Sequence, residues 1–204
     1  MGCVYRMLKK ISYLLIAVGI TFLCYAGYLL FDFYFGSQYK LEEAESFLSE
    51  YVVSAEENPN EKQYLMEQPA FQVDIGEVYG TLEIPAIDLK LPIVYGAEPE
   101  HLKYGVGHIP ETWLPNEGDQ IFLTGHNDSA FLNIGKVEEG DSIFINVPYG
   151  TFEYKMTYGE VGHQSEVERV GSMDEETLVL MTCYPFFTLT LTEERYFLYA
   201  ERVQ

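Results

Sequence analysis

Cys183 and Arg195 are the two residues near the end of the 204-residue chain whose types and spacing could support nucleophilic chemistry. Residues 177–182 form a run with β-branched side chains, long enough for one buried strand and too short for a free-standing helix. Cys183 ends this run, and Arg195 begins the next one after the connection 184–194. If the runs pair as antiparallel neighbours, the thiol lies beside a permanent cation, which favours the reactive thiolate. The pattern therefore predicts a nucleophilic cysteine at a strand end.

The same two residues also have a simpler interpretation. A lone cysteine in an apolar run is commonly a small buried hydrophobe, and an arginine that follows Thr-Glu-Glu is commonly a solvated surface charge. The other two cysteines, Cys3 and Cys24, lie in the N-terminal tail and in the apolar segment after it. If the rest of the chain is exported, Cys183 is unpaired there, and an unpaired exported thiol is a candidate reactive group. The expected compartment therefore favours the functional interpretation.

The prediction that the rest of the chain is exported depends on an apolar segment near the N-terminus. Residues 11–31 carry no charge and, at about 1.5 Å per residue, can cross a hydrocarbon core of about 30 Å. Three basic residues precede the segment and predict a cytoplasmic N-terminus: Arg6, Lys9 and Lys10. A cleaved signal peptide is the alternative, but the segment is long for one and continues into interfacial aromatic residues. We expect a single-pass anchor in the cell membrane, with residues 1–10 as a cytoplasmic tail and the remainder outside the cell.

The next segment, residues 32–75, is predicted to be a helical stalk and linker. Apolar residues recur at helical spacing between positions 38 and 57, and the triplet Asn58-Pro59-Asn60 then breaks the pattern. We expect an amphipathic helix with an acidic outer face, followed by a polar linker. A spacer is favoured over a helix that packs on the domain as a lid.

The charge balance limits the classes of partner. The chain has 12 Lys and Arg against 32 Asp and Glu, for a net charge of −20. An acidic surface of this kind argues against nucleic acid or anionic lipid as the partner.

The remaining segment, residues 76–204, is long enough for one core of ordinary size. Glycine and proline turn signals recur at short intervals between brief β-rich runs, which predicts a mostly β domain, either a barrel or a sandwich. Single helical turns are expected only at residues 100–104 and 130–135.

A histidine provides the third candidate functional group. The apolar run 121–124 leads into Gly125 and His126, which places an imidazole at a strand end. His108 is the rival candidate, and we interpret it as a loop histidine that bonds local backbone. His101 and His163 lie in polar turn sequence, where we expect them to be solvated. Cys183 has no Cys/His partners at zinc spacing and there is no phosphate-binding glycine loop, so we expect no metal and no cofactor.

With these residues placed, the sequence resembles the sortases, the membrane-anchored cysteine transpeptidases of mainly Gram-positive bacteria. The resemblance covers residues 76–203 and rests on five landmarks in order: Gly80-Thr-Leu-Glu-Ile-Pro85, Gly107-His-Ile-Pro110, Thr124-Gly-His126, Leu180-Met-Thr-Cys183 and the arginine that opens the last strand. The sequence Thr-Cys-Tyr-Pro-Phe and the short 184–194 connection are most similar to class D. The chain departs from the family pattern at Val179, where threonine is usual, and it lacks the Asp-Pro-aromatic lid motif of class C enzymes.

The resemblance implies an eight-stranded β-barrel with a groove that binds a sorting signal similar to Leu-Pro-x-Thr-Gly. Carried over to this chain, Cys183 is the nucleophile, His126 the general acid/base and Arg195 the residue that positions the substrate and the oxyanion. The implied partners are exported proteins with such a signal and a peptidoglycan precursor amine that accepts the acyl group. Two alternatives stay open: an anchored cysteine protease that uses water as acceptor, and a non-catalytic binding ectodomain in which Cys183 is buried and inert.

Overall fold

The computed structural model describes residues 2–57, 72–186 and 192–203, which fall into two compact units, Met1–Gly36 and Ser37–Gln204. The first unit is the N-terminal part of one helix, α1 (Gly2–Glu57). Among the described residues, α1 alone is long and apolar enough to cross a membrane, and its segment Lys9–Ser49 contains a stretch of mean hydropathy 2.2 with no buried part. A signal sequence near the N-terminus would meet the same criterion.

The predicted anchor and the predicted stalk helix form one continuous helix. No proline interrupts residues 31–38, and the weakest helix former there, Gly36, costs only about 1 kcal/mol relative to alanine. The predicted break at residues 58–60 and most of the predicted linker lie outside the described residues.

The second unit contains a closed barrel of eight strands, as the sequence resemblance implied. The strands are β1 (Val78–Ile84), β2 (Leu89–Tyr95), β3 (Val106–His108), β4 (Ile121–Thr124), β5 (Ser142–Val147), β6 (Gly150–His163), β7 (Thr177–Cys183) and β8 (Glu194–Arg202). Around the barrel their order is β1-β2-β3-β4-β7-β8-β6-β5, and β5 closes on β1. The pairs β2–β3 and β4–β7 are parallel, and the others are antiparallel.

Helical turns outside α1 are short and only partly where the sequence predicted them. Single 3-10 turns occur at Pro85–Ile87, Ile134–Lys136 and Val167–Arg169. The second overlaps the predicted turn at residues 130–135, whereas residues 100–104 form bends and hydrogen-bonded turns without a helix. That part of the prediction was wrong: the N–H groups of His101 and Leu102 both donate to the Glu98 carbonyl, which closes a turn that does not continue as a helix.

The two faces of the barrel wall bury different sets of side chains. Since successive strand residues point to opposite faces, Leu178 and Leu180 of β7 join the interior core, while Val179 points outward. A second buried cluster lies on that outer face; here it is named the outer cluster and consists of Phe122, Val179, Phe197 and Tyr199, with Ile109, Val170 and Met181 partly buried against it. The outer cluster therefore forms a second buried apolar layer on the outer face of β4, β7 and β8.

The part of α1 that belongs to the second unit packs on the barrel. Ala44 is fully buried against Val78 of β1 and Val94 of β2, and the carboxylate of Glu45 lies 2.7 Å from the Lys90 ammonium. The sequence favoured a free spacer here, and the structure differs because alanine leaves room for close approach of the helix to the strands. These contacts involve β1 and β2, which do not carry the three candidate functional residues.

Candidate active site

Cys183 and Arg195 are directly opposite each other in the antiparallel ladder between β7 and β8. Directly opposite residues project to the same face with Cβ atoms about 5 Å apart. Cys183 follows Val179 and Met181 at strand spacing, and Arg195 precedes Phe197, so both side chains belong to the face that carries the outer cluster. Cys183 is partly exposed. The ladder thus places the two residues side by side on the outer face of the barrel wall, and Cys183 is not sealed in the interior core.

His126 lies at the same rim because β4 and β7 are parallel neighbours. Thr124 pairs with Met181, and the Gly125 N–H donates to the Met181 carbonyl at 3.1 Å. His126 and Cys183 each follow this last matched pair by two residues, so the chain places both at the ends of adjacent strands. The His126 side chain is exposed, and its backbone carbonyl accepts a hydrogen bond from the Phe131 N–H. All three predicted site residues therefore come from the same edge of the barrel.

Two hydrogen bonds join the segment that carries His126 to the segment that carries Cys183. The buried Thr182 hydroxyl donates to the Gly125 carbonyl at 2.7 Å, and the buried Asn127 amide donates to the Pro185 carbonyl at 3.1 Å. The donors flank the candidate residues, since Thr182 precedes Cys183 and Asn127 follows His126. Sequence reasoning did not assign a role to either residue; the only signal was their adjacency to the candidate residues.

Replacing Thr182 with valine is expected to lower the rate of substrate acylation on the order of tenfold, because small displacements of reacting groups are costly and the Gly125 carbonyl loses its partner. The matched control is Thr157→Val, since the Thr157 hydroxyl also donates to a strand carbonyl, that of Tyr199, at 3.1 Å. Single-turnover kinetics on both variants, with thermal melting, measures the difference. Equal rates in the two variants would show that the bond at Thr182 does not align the site.

The Arg195 guanidinium contacts neutral acceptors on two connections. Its Nη1 donates to the carbonyls of Thr192 at 2.7 Å and Glu194 at 2.9 Å, and its Nη2 donates to Gln164 Oε1 at 2.8 Å. Gln164 follows β6 directly, so Arg195 ties the β6–β7 connection to the start of β8. Sequence reasoning predicted the arginine and missed the glutamine.

The β6–β7 connection, residues 164–176, lies beside the outer cluster. The Gln120 side chain donates to the Arg169 carbonyl and accepts from the Gly171 N–H, while Asp119 accepts from the Ser172 hydroxyl and the Met173 N–H. The hydrogen bond from Ser172, together with that from Met173, holds the pKa of Asp119 below its usual value. This connection is therefore held on the outer face by polar contacts, where Val170 covers part of the outer cluster.

His108, the rival candidate, is part of the barrel core. It lies in β3, is fully buried and bonds side chains, with Nδ1 2.6 Å from the Tyr79 hydroxyl and Nε2 3.0 Å from Thr112 Oγ1. Thr112 gives its own proton to the Ile109 carbonyl, so Nε2 of His108 must donate to it and Nδ1 must accept from Tyr79. Burial lowers the pKa of His108 to about 4, which keeps the ring neutral at pH 7. The interpretation of His108 as a loop histidine was wrong. His108 is buried in the barrel core, and not exposed at the barrel edge as His126 is.

Where the structure describes them, the two remaining histidines and the acidic residues form no cluster of functional groups. His163 is exposed, whereas His101 is partly buried and accepts from the Glu98 N–H. No group of three or more His, Cys, Asp or Glu that could hold a metal ion occurs within the described ranges.

The closed eight-stranded barrel carries a partly exposed cysteine, an arginine opposite it and a histidine on an adjacent strand end, an arrangement compatible with thiol-dependent acyl transfer. The chain belongs to the sortase family, since the family's sortase domain matches residues 82–203. Sortases are cysteine transpeptidases that act on proteins with a cell-wall sorting signal, and this chain is a member of that enzyme class.

Individual relatives support the assignment. The chain is 32% identical over 198 residues to Sortase D of Bacillus subtilis (strain 168), covering 97% of this chain and 100% of that protein. It is 25% identical over 188 residues to Sortase A of Staphylococcus aureus (strain NCTC 8325 / PS 47), covering 87% of this chain and 89% of that protein. The predicted similarity to class D is thus confirmed.

Solved structures agree on the fold. A sortase C of Clostridium perfringens, determined with the C-terminal cell wall sorting motif, has a TM-score of 0.59 and 27% identity, covering 77% of this chain and 89% of that chain. Sortase C1 of GBS Pilus Island 1 has a TM-score of 0.64 and 24% identity, covering 82% and 92% respectively, and supports the fold alone.

Proposed function

We propose that this chain is a membrane-anchored class D sortase that cleaves a signal similar to Leu-Pro-x-Thr-Gly and transfers the exported protein to a peptidoglycan precursor amine. The observation that carries the proposal is the cross-strand pair of Cys183 and Arg195 beside the strand end that bears His126. In this proposal Cys183 is the nucleophile, His126 the general acid/base and Arg195 the cation for the oxyanion.

The first half-reaction forms a thioester. The Cys183 thiolate attacks the threonyl carbonyl carbon, and the electron pair of the carbonyl moves to oxygen, where the Arg195 guanidinium stabilises the developing charge. The carbon–nitrogen bond then breaks, and the His126 imidazolium gives its proton to the departing glycyl amine. The products are a thioacyl-enzyme, a free amine and a neutral imidazole.

The second half-reaction restores the enzyme. An incoming amine attacks the thioester carbonyl and loses a proton to the neutral His126 imidazole. The carbon–sulfur bond breaks, which leaves a new amide bond and the Cys183 thiolate. Beside Cys183 on the same face, the partly buried Met181 and Ile109 at the edge of the outer cluster are the apolar side chains that the leucine and proline of the signal would contact.

The proposed location follows from the N-terminal unit. The uncharged residues 11–31 lie within α1, and the positive flank before them favours a cytoplasmic N-terminus with the barrel outside the cell. This arrangement would bring the site to the side of the membrane where exported proteins and cell-wall precursors occur.

The test uses the full-length chain in detergent with a fluorescent Leu-Pro-x-Thr-Gly peptide, with and without a small amine. A transpeptidase converts the thioester to an amide, so the ligated product should rise with amine concentration while hydrolysis falls. Product formation that does not respond to any amine would favour the anchored protease that uses water. Absence of cleavage across a panel of related peptides would contradict the proposed substrate.

A further inference from the structure

The barrel has three arginines, and two of them are neutralised by carboxylates. Arg169 donates from Nε to Glu166 at 2.6 Å and from Nη1 to Glu160, and Arg202 donates to Glu176. Arg169 also lies 4.6 Å over the Phe197 ring, which fixes it on the outer cluster. Both side chains have the partners typical of structural arginines.

Arg195 has no carboxylate within ion-pair distance in the part of the chain that the structure describes. Its acceptors are the backbone carbonyls of Thr192 and Glu194 and the neutral amide of Gln164. The chain has 32 acidic residues, so the absence of a carboxylate beside Arg195 is not explained by a shortage of them. Glutamate has the same length as glutamine and could occupy position 164 with the same shape. Among the described residues, the guanidinium that the proposed mechanism needs as a cation therefore has only uncharged partners.

Gln164 is attached at two points to the segment it contacts. Its backbone N–H donates to the Glu193 carbonyl at 2.8 Å, and its side-chain oxygen accepts from Arg195 Nη2 at 2.8 Å. The backbone bond fixes the start of the amide side chain, so that the oxygen meets the guanidinium without a carboxylate.

The hydrogen-bond count on Arg195 leaves donors for a substrate. A guanidinium has five N–H groups. Two on Nη1 bond the carbonyls of Thr192 and Glu194, and one on Nη2 bonds Gln164. Within the described residues, the Nε–H and the second Nη2–H have no partner, which leaves two donors for a carbonyl oxygen or an oxyanion.

We propose that Gln164 is a positioning residue that holds the Arg195 guanidinium in place while leaving its positive charge uncompensated. The inference rests on the proposed role of Arg195 in the proposed function. A carboxylate at position 164 would hold the guanidinium at least as firmly, but it would oppose the developing negative charge of the oxyanion.

Two variants of the full-length chain separate positioning with charge from simple structural support. Gln164→Glu keeps the shape and the acceptor and adds a negative charge, so we expect kcat for acylation to fall about tenfold or more with a smaller change in KM and no loss of Tm. Gln164→Leu removes the acceptor and leaves the charge on Arg195 uncompensated, so we expect a smaller fall in kcat. A purely structural residue would show the reverse order, because the salt bridge in Gln164→Glu would support the fold and the leucine would not.

The charge control is Asn116→Asp, an isosteric change at an exposed residue of the β3–β4 connection, and its kcat should match the wild type. The folded fraction of each variant, measured by thermal melting, normalises kcat to folded enzyme. Wild-type kcat in Gln164→Glu, or equal losses in the two variants, would overturn the inference. Activity in Cys183→Ala would instead contradict the proposed function, so the two failures are distinguishable.

Discussion

Replacing Cys183 with alanine is expected to abolish both peptide cleavage and thioacyl-enzyme formation. Alanine has no atom that can attack the threonyl carbonyl, so the covalent route is closed and the fall in rate should be at least about 10⁴-fold. The measurement is cleavage of the fluorescent peptide, with intact-mass detection of the acyl-enzyme in the wild type. Because the Cys183 side chain is small and only partly buried, the variant should keep the wild-type Tm.

The matched control is Cys24→Ala. Cys24 is an exposed thiol in the apolar helix α1, and its removal should leave turnover unchanged. The wild-type protein should also lose activity on treatment with a methanethiosulfonate, and the Cys24→Ala variant should lose it equally. Cleavage at the wild-type rate in Cys183→Ala would contradict the assignment of the nucleophile and with it the proposed function.

Replacing His126 with glutamine is expected to lower kcat for amide cleavage by about 10²–10⁴-fold, the range for loss of a general acid/base. Glutamine cannot donate a proton to the departing amine, although it fills a similar volume. The His126 ring has no hydrogen-bonding side-chain partner within the described residues, so the substitution should leave the barrel intact. Steady-state kinetics with a peptide amide substrate measures the loss.

A second substrate identifies the cause of that loss. An ester at the scissile position has an alcohol leaving group that needs less proton donation, so His126→Gln should be less impaired with the ester than with the amide. His101→Gln, in the β2–β3 connection, is the control and should behave as the wild type. An equal loss on ester and amide would indicate that His126 acts at another step than protonation of the leaving group.

Local sequence patterns were sufficient for the strands that carry the site. The run 177–182 and the run that begins at Arg195 correspond to β7 and β8, because each is a continuous apolar stretch bounded by turn residues. Their antiparallel pairing also follows from a short connection. The choice between barrel and sandwich did not follow from the residues, since closure depends on pairs distant in sequence such as β4 with β7 and β1 with β5.

The short strand β3 shows why part of the fold was missed. Gly105 and Gly107 flank Val106 and look like turn signals, but they serve close backbone approach. A Cβ on Gly107 would lie 2.5 Å from the Gly96 carbonyl oxygen, and one on Gly105 would lie 2.5 Å from that of Pro92. These two glycines are required by the close approach of neighbouring backbone and not by a turn. Interpreting them as turn residues led to the wrong prediction that His108 lies in a loop.

The residues that support the site could not be predicted from local sequence patterns, for a different reason. The side chains of Asn127 and Gln164 make single hydrogen bonds to Pro185 and Arg195, in connections whose paths depend on the whole barrel. An exposed glutamine after a strand has no periodicity or motif that would distinguish it from any other surface residue. Its contact with Arg195 becomes visible only when the β6–β7 connection and the start of β8 are placed next to each other.

The proposed catalysis by Cys183 depends on the register of the ladder between β7 and β8. A slip of one position along β7 would turn Cys183 to the barrel interior and separate it from Arg195, since alternate residues exchange faces. An unfolded chain accordingly carries an ordinary thiol, far along the polymer from its imidazole. If Cys183 is the nucleophile as proposed, its reactivity towards the peptide requires this register, and we expect a chain without it to form no thioacyl-enzyme.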